Sequence, residues 1–426
     1  MSTDNLASYV YRPPIMSGPL SGLKVIDFSR VLAGPLCSRT LLDLGAEVTK
    51  VEPPSADVAR FSAPSDGKMS GYYAQQNAGK RNSSLDLNVP EAREIALRLC
   101  DTADIIVENF RAGALASFGL DHASIVERNP KAIYVSITGY GQDGPWNSRM
   151  AYAPTVQAEA GFTANSLDHY SDCLSSLSTD SLSHADVYAG MQGVIAVLAA
   201  LHERDKTGVG QYIDVSMAAT LMAVNEKAHV QLGDLDLGDE PSVLGATDCP
   251  FFKAPDGSDI VVASSLVGSL TFRSFLAAMR RGDLAKDPRF TTAANRKANY
   301  GALHEIVQTW ISSFSNKEAL DAQFDEAKIA MGEIRSLADL ADTAWADYWG
   351  ATQEVSDRAG GHYKLPGRPW KFSSNELEPL GDPAFQGEHN YLICEELGFQ
   401  ATDIAEFAEL GAITPSVALS SGTKSK

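Results

Sequence analysis

Short strand patterns alternate with single helices from Leu23 onward, and that alternation limits the folds open to the chain more than any other feature. Leu23–Ser29 (LKVIDFS) reads as a buried strand. Ala33–Ala46 (AGPLCSRTLLDLGA) reads as a helix, with Pro35 in its first turn and Gly45 just past its end. Glu47–Pro53 (EVTKVEP) alternates like a second strand. A helix opened by Pro90 leads into Asp104–Phe110 (DIIVENF), and another near Asp121–Arg128 leads into Ala132–Gly141 (AIYVSITGYG). Strands joined by one helix each run in the same direction, so the spacing predicts an α/β fold with a parallel sheet.

The 426 residues exceed one typical domain. The pattern lapses in Gly233–Gly245 (GDLDLGDEPSVLG), a turn-rich linker. The expected organisation is an N-terminal arm (1–19), a large α/β domain (20–225), a linker with a smaller domain (226–335), a further large-domain section (336–413) and a tail (414–426). The longest strongly apolar run, Gly190–Leu201, is about half of the ~20 residues a membrane helix needs, so no membrane span is expected. The first residues lack a basic region followed by an apolar stretch, so no secretion signal is read. Five cysteines at irregular spacing form no C-x-x-C pair, which points to a reducing cytoplasm and to neither disulfide framework nor zinc site. The net charge of −19 excludes nucleic acid as a natural partner. Residues 1–111 carry only −1 of it, so an anionic ligand fits best there.

Four stretches carry candidate chemistry. The turn SRVLAGPLC has one glycine, Gly34, where a nicotinamide dinucleotide turn needs three. It still leads into a helix N-terminus, which suits an anion, or is a plain connection. Arg111, after ENF at a strand end, suits a phosphate, as do Lys80 and Arg81 in NAGKRNSSLDL, although solvated basic side chains are commoner. Asp186 precedes a small-residue helix (Tyr188–Gly193). Aspartate is a favoured helix cap, and helix-end N–H groups favour its ionised form by roughly 0.3–1 kcal/mol. An ionised carboxylate is also a nucleophile. The residues alone leave both roles open, and the nearby glycines allow close approach of a ligand or another helix.

Taken together, LSGLKVIDFSRVLAGPLCSRTLLDLGAEVTKVEPP, NAGKRNSSLDL, IIVENFRAGALASFGL, VSITGYGQDGPW, QAEAG and AALHERDKTGVGQYIDVSM resemble the family III CoA-transferases (the CaiB/BaiF family). The resemblance implies a large Rossmann-like parallel-sheet domain built from both chain ends, a smaller middle domain, and an interlocked homodimer. It places Asp186 where these transferases keep a nucleophilic aspartate. Val31, Leu32 and Ala33 match the loop that lines the thioester and supplies oxyanion donors. Asn109, Phe110 and Arg111 match one coenzyme A segment, and Leu85 to Asn88 another. The implied activity moves CoA from an acyl-CoA to a free carboxylic acid, with coenzyme A as substrate and no metal, nicotinamide or flavin.

An isomerase of the same family is the alternative, either moving CoA within a dicarboxylic acid or epimerising an α-methylacyl-CoA. A non-catalytic acyl-CoA binder is a third reading. Tyr152 stands where the racemase branch keeps a histidine, and a phenol with a free pKa near ~10 is a poor base at neutral pH. Ala153, Leu32 and Ser117 depart from residues found in relatives, and the middle segment lacks the glycine run of formyl-CoA transferase, so oxalate and formate are not expected substrates. Arg30, Arg39 and Arg60 are present to read a second substrate carboxylate, but the sequence does not choose among them.

Overall fold

The computed structural model describes residues 18–63, 69–170, 181–233 and 249–416. The arm up to 17, the linker beyond Gly233, Cys173 and the tail beyond 416 lie outside the described residues. Two compact units divide the chain, one running up to Asn225 and resuming at Asp347, the other spanning Glu226–Ala346. The second unit thus extends past the expected boundary at 335. Both of its sheet-forming ends lie within it: strands at Phe251–Lys253, Asp259–Val262 and Met331–Glu333 pair antiparallel. Phe275, Phe290 and Phe324 are completely buried in its core.

The large unit contains six parallel strands: β1 (Lys24–Asp27), β2 (Glu47–Glu52), β3 (Arg81–Ser84), β4 (Ile105–Glu108), β5 (Ile133–Thr138) and β6 (Tyr212–Ser216). Their order is β3-β2-β1-β4-β5-β6. The helices between them are α1 (Ala33–Asp43), α2 (Gly71–Asn77), α3 (Pro90–Asp101), α4 (His122–Arg128), α5 (Ala153–Glu159), α6 (Phe162–Tyr170) and α7 (His184–Thr207), and α8 (Met217–Val224) follows β6. Successive strand residues face opposite sides of the sheet. Val25, Ile105, Ile133 and Val135 accordingly bury against α1 and α7, while Ile26, Ile106 and Tyr134 bury against α3 and the C-terminal helices. A sheet covered on both faces explains why its strands read as nearly continuous apolar runs.

The two chain ends meet at β3. Asn390 accepts hydrogen bonds from the Ser84 N–H (2.8 Å) and the Ser83 hydroxyl (3.0 Å), and Leu85 bridges Ile413. Leu85, in the segment expected at coenzyme A, has its side chain fully buried in the sheet's α3 face. The aliphatic side chain is consumed by the packing of the returning chain.

Helix α7 is, among the described residues, the one helix long and apolar enough to cross a membrane by length and composition. It packs on α1 and β5, where Ala185, Ala189, Val194 and Val197 join the core. Two glycines set how close it comes. A methyl group at Gly190 would lie 2.7 Å from the Ala33 carbonyl oxygen, and one at Gly193 would lie 3.1 Å from the Cys37 sulfur. Both are helix-packing glycines. Their effect is to lay the first turn of α7 against the start of α1.

Candidate active site

In an open parallel sheet, ligands collect beyond the carboxyl ends of strands where the strand order reverses. Here the reversal falls between β1 and β4. A cavity of about 370 Å³ opens there. The loop after β1 gives it Arg30, Val31 and Ala33, and the loop after β4 gives it Asn109, Phe110 and Arg111. Tyr140, Tyr152 and Asp186 complete the part that concerns chemistry. Leu32 is turned inward and buried.

Asp186 does not cap its own helix. α7 begins at His184 after Ser183, which places Asp186 in the first turn. Its carboxylate instead lies against the backbone N–H of Ala33, the first residue of α1, and that N–H and its own favour the ionised form. Burial pushes the carboxyl up to about 6, outweighing those two backbone donors. The expectation that the helix end would dominate is therefore corrected: desolvation is the larger effect. At neutral pH the ionised form still prevails by roughly tenfold.

The loop that brings Ala33 to Asp186 is conformationally demanding. Val31 has φ +67°, a left-handed conformation rare for a β-branched residue. Such strain, on the order of 1–3 kcal/mol, persists only where the surroundings impose it. Three side chains impose it here. The Val31 N–H donates to both carboxylate oxygens of Asp57 (3.1 and 3.2 Å). Asn109 accepts from the Arg30 N–H and donates to the Arg30 carbonyl, both at 2.8 Å. Lys50 donates to the Ser29 carbonyl at 2.7 Å and pairs with Asp57 at 3.1 Å, both side chains being fully buried. Burial alone would weaken the Lys50 ammonium, but Asp27, Asp57 and Glu52 hold its pKa above the ordinary value. Gly34 serves the same turn, since a methyl there would lie 2.2 Å from the Ser29 Cβ.

Two expected phosphate contacts are elsewhere. Lys80 is buried, and its ammonium donates to Asp27, Ser38, Asn77 and the Pro35 carbonyl. With those acceptors it is an internal brace and not a ligand for phosphate. Arg81 starts β3, at the amino end of the sheet, and pairs with Glu396 at 2.6 Å. It stands in a separate depression with Lys24 and Glu47, away from Asp186.

Sequence reasoning missed four residues around the site. Lys50 and Asp57 brace the loop, as described. Glu108 accepts from the Phe110 N–H (2.7 Å) and from Gln142 (2.9 Å), tying the loop after β4 to the loop after β5. Burial raises its carboxyl to about 7. Tyr72 lies near enough to Asp186 that the carboxylate, after burial, helps raise its phenol. A glutamate ending the otherwise apolar strand β4 was the available signal for Glu108. Among the described residues, no group of three or more His, Cys, Asp or Glu side chains is placed to hold a metal ion.

The model of CoA-transferase family III matches residues 20–390. The chain belongs to CoA-transferase family III. Similar proteins include a succinyl-CoA:mesaconate CoA-transferase of Haloarcula hispanica, 30% identical, with 89% of this chain and 97% of the relative aligned. A succinate–glutarate CoA-transferase of Agrobacterium fabrum is 32% identical over 77% of this chain and 82% of its own. Among solved structures, a CaiB/BaiF family protein from Brucella suis superposes with a TM-score of 0.72 at 30% identity, covering 89% of this chain and 100% of that one. For a member of this family, CoA thioesters are the expected substrates, and the cavity lies where an open parallel sheet binds ligands.

Proposed function

We propose that the protein transfers CoA from an acyl-CoA to a free carboxylic acid, with Asp186 as covalent nucleophile. The observation that carries this reading is the position of Asp186: a half-buried carboxylate in the wall of the switch-point cavity, held against the start of α1. A carboxylate oxygen of Asp186 attacks the thioester carbonyl. The C–S bond breaks, the thiolate leaves with the electron pair, and a mixed anhydride forms. The thiolate then attacks the aspartyl carbonyl, the anhydride C–O bond breaks, and the donor acid leaves as its carboxylate. The enzyme now holds an aspartyl-CoA thioester, which the acceptor carboxylate resolves by the reverse sequence. No step moves a proton.

Each tetrahedral intermediate needs hydrogen-bond donors for its oxyanion. The Val31 N–H is already given to Asp57 and the Ala33 N–H faces Asp186 itself, which leaves the Leu32 N–H as the donor in this reading. Phe110 and the exposed Arg111 suit coenzyme A at the cavity mouth, Arg111 as a phosphate contact. Asn109 acts by fixing the loop. Tyr152, exposed at the start of α5, contributes a wall and not a base. Because relatives are named for succinyl-CoA with mesaconate and for succinate with glutarate, short dicarboxylic acids are the first acceptors to test.

The nucleophile is the ionised form, so kcat/KM should rise about tenfold per pH unit below pH 6 and flatten above it. Glu108, which titrates about one unit higher, is the confounding group. Its Glu108→Gln variant should keep the limb near pH 6. A profile whose limb disappears in that variant would assign it to Glu108 and remove the support for Asp186.

A homodimer and a cytoplasmic location belong to the same reading. Met191, Ile195 and Leu198 form an exposed apolar stripe one face wide along α7, of the kind that marks a contact surface. Light scattering should give the mass of two chains. The mass of one would remove the dimer from the account.

A further inference from the structure

Three arginines line the cavity that holds Asp186, and their commitments differ. Arg149 pairs with Glu159 and covers the Trp146 ring. Arg111 is exposed at the mouth. Arg30 is half-buried, its side chain has no hydrogen-bond or ion-pair partner among the described residues, and its Nε is closed off from solvent. The other arginines considered for reading a substrate carboxylate are consumed. Arg39 bonds Asp43 and the Gln75 carbonyl, and Arg60 forks onto both oxygens of Glu52 and reaches the Ala384 carbonyl.

We infer that Arg30 binds the far carboxylate of a dicarboxylic acyl group whose thioester end lies at Asp186, so that the enzyme selects short dicarboxylates over monocarboxylates of equal length. The inference rests on the reading of Asp186 as the nucleophile. A carboxylate taken into a cavity needs a charged, hydrogen-bonding partner, and a guanidinium offers a planar fork that fits both oxygens. Arg30 is the half-buried side chain with donors unspent. Its backbone is fixed on both sides by Asn109, so the fork swings from a set origin. Arg30 is three residues from Ala33, whose N–H touches Asp186. Arg30 and Asp186 line the same cavity of about 370 Å³, so one short ligand can meet both. The thioester is read at one end and the free carboxylate at the other.

Glutaryl-CoA and pentanoyl-CoA have acyl chains of equal length and differ at the far end in carboxylate against methyl. The test measures the rate of CoA-adduct formation from each by rapid quench and intact mass. Wild type should favour glutaryl-CoA. Arg30→Gln should lower the glutaryl-CoA rate by about 10- to 100-fold while leaving the pentanoyl-CoA rate nearly unchanged. Arg30→Lys should recover part of the loss, since it keeps the charge without the fork. The pentanoyl-CoA rate also reports that the variant is folded. Equal losses with both thioesters would make Arg30 a coenzyme A contact and overturn the inference, as would a wild type indifferent to the far carboxylate. A wild type that forms no adduct with any thioester would instead defeat the reading of Asp186.

Discussion

Asp186→Asn should lower CoA transfer by roughly 10³-fold or more and, at pH 8, make the protein more stable. The first effect follows from losing the nucleophile. The second follows from its environment. The folded carboxyl titrates near 6 against an ordinary 3.8, because burial disfavours the charge. A group with a raised folded pKa favours the native state only while protonated. That contribution is fully present below pH 3.8 and is lost as pH rises through 6. Above pH 6 the ionised side chain therefore carries a penalty on the order of 3 kcal/mol, which asparagine escapes. Denaturant midpoints of the two proteins should separate at pH 8 and converge towards pH 4. An aspartate kept for capping alone would behave oppositely, losing stability on substitution at pH 8.

Lys50→Met should destabilise the large unit by about 3–5 kcal/mol, the cost of breaking a buried ion pair and leaving one charge behind. Lys50 and Asp57 are both fully buried, and without the ammonium the Asp57 carboxylate would keep only backbone donors, Val31 and Ala59 among them. The double variant Lys50→Met with Asp57→Asn should recover much of that loss, because neither charge then lies uncompensated. Activity should not follow stability. The Ser29 carbonyl would still lack its donor and the Val31 conformation its charged acceptor. Urea midpoints and kcat, measured on all three variants, separate the two effects. Full activity in a restabilised double variant would show that the brace supports folding alone.

The parts of this fold written in local pattern were legible. The run from Leu23 to Pro53 yields β1, α1 and β2, because alternation, Pro35 and Gly45 act over a few residues, and Gly45 does take φ +105°. What depended on distant partners was not. Lys80 among small residues looks like a phosphate contact until β1 delivers Asp27 to it from 53 residues away. Asp57 reaches Val31 across 26 residues, and Asn390 reaches Ser84 across 306. The resemblance singles out Asp186 as a candidate, but not its position within the helix. The sequence offers Asp186 as the cap of α7, whereas its carboxylate meets the first N–H of α1, a contact that depends on Gly190 allowing the helices to touch.

Ion pairs that the folded chain forms decide among the arginines. Arg30, Arg39 and Arg60 are indistinguishable as residue types. Only the ion pairs of Arg39 with Asp43 and of Arg60 with Glu52 remove two of them from consideration.

The most direct test of the central claim is the intact mass of the protein after mixing with an acyl-CoA in the absence of acceptor, followed by peptide mapping. Wild type should gain the mass of coenzyme A less one water, on the peptide containing Asp186, and lose it when a carboxylic acid is added. Asp186→Asn should gain nothing. Transfer that proceeds without a covalent adduct, or an adduct on another residue, would contradict the account.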